Sequence, residues 1–389
     1  MIKFKNKFLV AMLMMFLVMI LPKSVVFAGT NNSQEAAQVI SVNTSYSGSM
    51  DSEYAWYKTE LTESGYFYLD FDRFSEDGDK YVNVGWKLSI YVDDKFILED
   101  VWVSEANSAY KSPNYGYPKG TIAYIRIQND GAGTKVPYKF SVYNQKDSYW
   151  ESEKNDTQKT ANTLTLKKSY YGNFSKADTV DYFSTKMNKT GYAQIHFGRR
   201  DLDGDKYVNA GWKISVIVNN KIVLDPVFVS EATALDGYVS PQFGYKKGQK
   251  IYVRVENDGA GTAVDYKIQV KCKASALWET ENNDSKSKAD KLKLNKKYYG
   301  VCTRNNDSDW FKYKAAKNGT LKFYGGKRSL DDSGWYTFEV YVKGKRVLSA
   351  SNYNNAIGKL GSFSVKKGQT VYVKVSGNYR SAYALKLKY

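Results

Sequence analysis

Two short segments hold the residues best suited to chemistry: Trp150-Glu151-Ser152-Glu153-Lys154-Asn155-Asp156-Thr157 and Trp278-Glu279-Thr280-Glu281-Asn282-Asn283-Asp284-Ser285. Alternate positions on an extended chain point to one side. Glu151, Glu153 and Asn155 can therefore face one point, while Asp178 and Asp181 approach it from a later turn. Carboxylate and amide oxygens are hard donors, and calcium takes roughly six to eight of them. The same residues also suit an acidic, solvated linker in which Asn155 or Asn283 opens a turn, and both readings stand at this level.

Two further acidic loops, Ser75-Glu76-Asp77-Gly78-Asp79 and Asp201-Leu202-Asp203-Gly204-Asp205, set oxygens at alternate positions around a glycine. They do not complete the 12-residue calcium loop, so a polar hairpin competes with a metal site there. Tyr110, Tyr115 and Tyr117, and correspondingly Tyr238, Phe243 and Tyr245, lie in loops containing Pro and Gly. Flat rings on a rigid scaffold offer platforms for sugars or extended peptides, and equally serve as plugs folded over a sandwich end. We expect ligand contact from these six.

Catalysis finds no comparable constellation. The single His, His196, faces opposite to Ile195 and Phe197, and Asp70 stands at its place in a sister segment, which marks a surface histidine. There is no HExxH, GxSxG, phosphate-binding or dinucleotide fingerprint. Paired carboxylates are plentiful enough to leave glycosidase chemistry open by residue type alone.

The elements that must position these residues are legible from repetition. Asp77-Gly78-Asp79-Lys80-Tyr81-Val82-Asn83 recurs as Asp203-Gly204-Asp205-Lys206-Tyr207-Val208-Asn209, each followed by Gly-Trp-Lys (Trp86, Trp212). Asn129-Asp130-Gly131-Ala132-Gly133-Thr134 recurs at 257–262. A more divergent third copy keeps Gly334-Trp335, and its segment 366–375 answers 246–255. The period is about 120–128 residues. Units are placed at 29–147, 148–273 and 274–389, preceded by residues 1–28. Within each unit apolar residues alternate, as in Phe67, Leu69 and Phe71 or Ile251, Val253 and Val255. Such alternation marks half-buried strands. The fold expected is all-β: three tandem jelly-roll or Greek-key β-sandwiches after a cleaved signal peptide. That arrangement leaves no room for a separate catalytic domain, and the chain is expected not to be an enzyme.

Residues 1–28 have the layout of a secretory leader, with Lys3, Lys5 and Lys7, an apolar run from Phe8 to Leu21, and a small-residue exit at Ala28. An exported chain permits a Cys272–Cys302 disulfide, and two unpaired thiols are equally consistent.

The layout E-x-E-x-N-D-[ST], then Tyr-Gly (Tyr171-Gly172; Tyr299-Gly300), then Asp-aromatic (Asp181-Tyr182-Phe183; Asp309-Trp310-Phe311) resembles the bacterial pre-peptidase C-terminal domain. That family includes the collagen-binding domains of clostridial collagenases. The likeness covers units two and three end to end and the later part of unit one. It implies a jelly-roll accessory module of secreted enzymes that binds calcium through its acidic opening and later aspartates. Carried over by position, the ligands are Glu151, Glu153, Asn155, Asp156, Asp178 and Asp181 in unit two. In unit three they are Glu279, Glu281, Asn283, Asp284, Asn306 and Asp309. Unit one, with Asn31-Asn32-Ser33 and Ala55-Trp56 at these places, lacks the site.

The 57 Lys+Arg and 40 Asp+Glu of the 389 residues give a net charge of +17. That charge is not evenly spread. Unit one has 11 basic and 17 acidic residues (−6), unit two 19 and 14 (+5), and unit three 23 and 9 (+14). The expectation is a secreted, non-catalytic binding protein, held at a surface non-covalently or free, whose partner is an extracellular polysaccharide or fibrous protein. Unit three would meet an anionic cell-wall polymer. A rival role is that of an accessory or pro-segment chain for a secreted hydrolase, and a third is that of a surface spacer. Nucleic acid is not an expected partner, since no motif for it accompanies the basic charge.

Overall fold

The computed structural model describes residues 25–27, 31–50, 52–74, 83–131, 137–200, 207–259, 264–328, 335–353, 356–378 and 380–389. The Asp77–Asp79 and Asp201–Asp205 loops lie outside these residues. Among the described residues no helix is long and apolar enough to cross a membrane.

Unit two illustrates how alternation becomes architecture. Along Gly191–Arg199, Ala193, Ile195 and Phe197 are buried while Gln194 and His196 are half-exposed on the other face. One sheet has the spatial order Asn162–Thr163, Val180–Lys186, Lys250–Asp258, Gly211–Val218 and Lys221–Ser230. The other runs Ser169–Gly172, Tyr266–Ala274 and Gly191–Arg199, with the short strands Tyr238–Val239 and Phe243–Tyr245 sharing its far edge. Apart from the hairpin of Gly211–Val218 and Lys221–Ser230, the chain crosses between the sheets from one main strand to the next, and leaving aside the short Asn162–Thr163 addition, the two orders are those of a jelly roll. Units one and three repeat both orders, so the all-β tandem sandwich is the observed fold.

Each sandwich encloses its own apolar cluster, and the clusters are separate. Trp86 and Trp212 are fully buried at matching positions, opposite Asn129 and Asn257 of the neighbouring strand. In unit three the place opposite Gly377 is filled by Tyr336, and Trp335 is 38% exposed. The apparent Gly-Trp match of the third copy is thus one residue out of register, and a one-residue slip along a strand exchanges core for solvent.

Val25–Phe27 forms a strand parallel to Ser45–Gly48, ahead of the expected cleavage point. Trp150 and Trp278 pair in parallel with Tyr171 and Tyr299 in the same manner. Cys272 and Cys302 are free thiols, so no bridge pins units two and three together.

Candidate metal centres at the unit junctions

The acidic openings of units two and three lie on the seam with the preceding sandwich. The Glu153 amide donates to the Gly116 carbonyl (3.1 Å), and the Glu281 amide donates to that of Gly244 (3.4 Å). A Cβ at Gly116 would sit 2.4 Å from the Glu151 carbonyl oxygen, and one at Gly244 2.0 Å from that of Glu279. Only glycine allows the two backbones this close. The Trp150 indole packs between Tyr66 of unit one (4.6 Å) and Tyr171 (6.1 Å), with the Arg200 guanidinium over its face. Trp278 repeats the arrangement with Tyr192 (4.2 Å) and Tyr299 (6.1 Å).

Extended chain beyond each tryptophan turns its acids inward. Glu151, Glu153 and Asp181 bring one carboxylate oxygen each within 4.8 Å of one another, as do Glu279, Glu281 and Asp309. Asp181 and Asp309 come from the strands Val180–Lys186 and Ser308–Lys314. The Asn155 and Asn283 carbonyls accept from the first aromatic of each pair, Tyr182 (2.9 Å) and Trp310 (3.0 Å), which locks the opening segment against that strand. Glu151 also accepts the Asn173 amide (2.6 Å), and Glu279 the Val301 amide (2.6 Å).

A buried tyrosine completes each cluster. The Tyr266 hydroxyl lies 2.6 Å from both Glu151 and Asp181, and the Tyr383 hydroxyl 2.7 Å from both Glu279 and Asp309. One hydroxyl has one proton to donate. Two carboxylates meeting it therefore require a further proton or a cation to hold the second contact. Burial accordingly pushes Glu151 up to about 8 and Asp178 up to about 6, against ordinary values of 4.5 and 3.8. Glu153, Asp181, Glu279, Glu281 and Asp309 are all raised by the same burial. The charged form is penalised when desolvated without a partner.

The oxygens left over supply a fit test for a bound cation. Asn155 Oδ1, Asp178 Oδ2 and Asp181 Oδ1 are buried without a hydrogen-bond partner. In unit three Asn283 Oδ1, Glu281 Oε2 and Asp309 Oδ1 are in the same state. Buried polar atoms are nearly always satisfied, and the two sets of hard-oxygen orphans, which match at Asn155/Asn283 and Asp181/Asp309, fit a calcium-type ion.

Three expected ligands sit at the margin of the clusters. Asp156 is exposed, and its charge helps to raise Glu153 and Asp178. Asp284 is half-buried and accepts from Arg304 Nη2 (2.6 Å). Asn306 is exposed with φ 59°, and the carboxylate facing the cluster from that turn is Asp307, one residue later. Asp178 Oδ1 accepts the Val180 amide (3.1 Å) and Asp307 Oδ1 the Ser308 amide (3.1 Å), so the two turns present their acid in different registers. Asp307 also accepts from Arg304 (2.6 Å), which places a guanidinium beside the unit-three cluster; the matching Lys176 of unit two points away to Glu99. Tyr266, Tyr383 and Asp307 were not expected. The signal for the tyrosines was the recurrence of Tyr before the last strand's apolar row in all three copies: Tyr138, Tyr266 and Tyr383.

Four of the six loop aromatics also need correction. Tyr115, Tyr117, Phe243 and Tyr245 are 8% exposed or less and belong to the sandwich cores. Tyr110 and Tyr238 pack against those cores, and burial pushes the Tyr110 phenol up to about 12. The four buried rings plug the sandwich ends and carry the edge on which the next unit docks, so they present no free platform face; Tyr110 and Tyr238 stay half-buried, and Tyr238 lines a surface cleft beside His196.

No family profile and no curated protein matches the chain. Solved structures of similar outline include tripeptidyl peptidase 2 (8% identity, TM-score 0.23, 86% of this chain and 33% of that one). Another is the M60 catalytic domain with two CBM51 domains of Clostridium perfringens ZmpB (9%, 0.20, 87% and 55%). A third is the triple jelly-roll turret protein of an archaeal virus (9%, 0.22, 87% and 82%). The chain thus spans a third of the first structure and about half of the second. At these scores the fold assignment rests on the strand orders above.

Proposed function

We infer that the chain is an exported, non-catalytic binding protein whose second and third jelly rolls each hold a calcium ion at the seam with the unit before. The observation that carries this reading is the pair of matching buried clusters, each with orphaned carboxylate and amide oxygens around one tyrosine. Glu151, Glu153, Asn155, Asp178 and Asp181 would hold one ion, and Glu279, Glu281, Asn283, Asp307 and Asp309 the other. The ion supplies charge compensation and no reaction chemistry. Because Glu153 and Glu281 bond the preceding unit through their own amides, ion binding stiffens the seams as well as the sandwiches. A stiffened array suits attachment to an extracellular polymer, a polysaccharide or a fibrous protein, because several modules then engage without losing orientational freedom. The test is co-sedimentation of the calcium-loaded chain with insoluble glycans and with collagen fibrils. Retention on at least one is expected; a chain that stays in the supernatant with all of them overturns the binding role.

A further inference from the structure

The end of unit three where the hairpin Val342-Lys343-Gly344-Lys345 turns has counterparts in both other units, and there it is an interface. The strand after the turn carries Ile97 in unit one, Val223 in unit two and Val347 in unit three, at matching registers. Ile97 is 2% exposed and its carbonyl accepts the Lys176 amide of unit two; Val223 is 0% exposed and its carbonyl accepts the Thr303 hydroxyl of unit three. Val347 is 43% exposed. A groove of about 660 Å³ lies over it, floored by Val342 and Val365 and lined by no acidic residue.

This groove is not a vacant berth for another unit. The glycines that admit the next unit's backbone, Gly116 and Gly244, correspond to Ser364, whose Cβ would collide with such a neighbour at 2.0–2.4 Å. The stacking residues Tyr66 and Tyr192, each one place after a strand-opening glycine, correspond to Thr320. The hairpin's first turn residue changes from Asp93 to Asn219 to Lys343 at the same φ of 50°. Asn and Asp tolerate that conformation best, so lysine is placed there against local preference. Asp93 pairs with Lys154 of the next unit (3.0 Å), and Lys246, the counterpart of Lys366, meets Asp290 of the next unit at 3.8 Å. Lys343, Lys345 and Lys366 are exposed on the rim, with no acidic partner among the described residues.

We propose that this groove binds an anionic polymer with a hydroxylated backbone, its phosphates or carboxylates on Lys343, Lys345 and Lys366 and its chain against Val347 and the Ser364 and Thr320 hydroxyls. The proposal rests on the binding role above and places one contact of it. The groove has no aromatic ring among its lining residues, which disfavours single-stranded nucleic acid, whose bases need stacking faces. The surplus of +14 on unit three adds attraction that salt screens.

The test uses the full chain and compares K343E/K345E/K366E with K291E/K293E/K296E, which makes the same charge change on exposed lysines of unit three outside the groove. Probes are poly(glycerol phosphate), polygalacturonate, neutral dextran and single-stranded DNA. We expect the groove triple to weaken one or both polyol anions ~10-fold or more at low salt and the control triple to weaken them less than ~3-fold; Val347→Trp should weaken the same probe without altering charge. Binding by poly(glycerol phosphate) alone identifies phosphate as the recognised group, and by polygalacturonate alone a carboxylate. Equal losses in the two triples, or tighter groove-dependent binding of DNA, overturn the proposal. A groove triple that still sediments with an insoluble polymer while losing no affinity for either polyol anion overturns the groove and leaves the binding role standing. A wild-type chain that binds nothing overturns both.

Discussion

Tyr138, Tyr266 and Tyr383 stand at the same place in three sandwiches, each opposite a glycine, Gly48, Gly172 and Gly300, whose Cβ would strike the hydroxyl or its ring at under 3 Å. In unit one the Tyr138 hydroxyl meets the Tyr57 hydroxyl at 2.7 Å. In unit two the Tyr266 hydroxyl meets two carboxylates, Glu151 and Asp181. The position paired with the core strand is Ala55 in unit one, against Asp181 and Asp309. Asn31 still accepts from Trp56 as Asn155 does from Tyr182. The strand frame around this tyrosine is therefore shared by all three units, and Ala55 puts no carboxylate where Asp181 and Asp309 stand. Two hydroxyls satisfy each other without an ion; two carboxylates around one hydroxyl do not. Unit one satisfies its tyrosine with a second hydroxyl, whereas units two and three surround theirs with acids.

Breaking this contrast from the neutral side has the largest expected effect. Ala55→Asp puts one carboxylate beside Tyr57 and Tyr138 without its Glu partners, and an unpaired buried charge costs about 3–5 kcal/mol. Calcium should not restore the loss, read as the shift of the unit-one transition in calorimetry with and without the ion.

From the charged side, calcium at 100-fold over its dissociation constant should stabilise each loaded unit by about 2.7 kcal/mol. Asp181→Asn should abolish the unit-two part of that gain. The gain should also depend on pH. An unfolded Glu151 releases its proton near 4.5 and the folded one near 8, so between these values the ion-free folded state binds more protons than the unfolded one. Ion-free stability of unit two therefore falls as pH rises through that window, with Asp178 adding its share up to about 6. Calcium competes with those protons, and its stabilisation should be larger at pH 8 than at pH 5. A chelated melt that is flat or rising across this range contradicts the raised carboxylates.

A smaller effect sharpens the role of the tyrosine. Tyr266→Phe leaves the carboxylates without their shared donor and should cost about 1–3 kcal/mol in chelator. Calcium should recover most of that loss, because the ion satisfies the same oxygens. The matching Tyr138→Phe should be insensitive to calcium, as measured by paired melts.

Much of this was legible in the sequence. Period-two alternation such as Ala193, Ile195 and Phe197 reports burial directly, and the 126-residue offset between Trp86 and Trp212 gave the units. Glu151, Glu153, Asn155, Asp178 and Asp181 do converge, because alternate residues of an extended segment share a face. What stayed hidden depended on register and on neighbours. Asp307 displaces Asn306 through a one-residue change of turn, which equal loop lengths conceal. Tyr336 takes the core place of the tryptophan that the adjacent Trp335 mimics in sequence. The loop aromatics looked available because a Tyr-Gly-Tyr or Phe-Gly-Tyr strand reads the same whether a ligand or the next unit lies against it.

The central claim is that the two junction clusters hold calcium. Native mass spectrometry of the intact chain in calcium counts bound ions directly. The double variant Asp181→Asn/Asp309→Asn should bind two ions fewer than the wild type, and each single variant one fewer. A double variant that keeps the wild-type count contradicts the account.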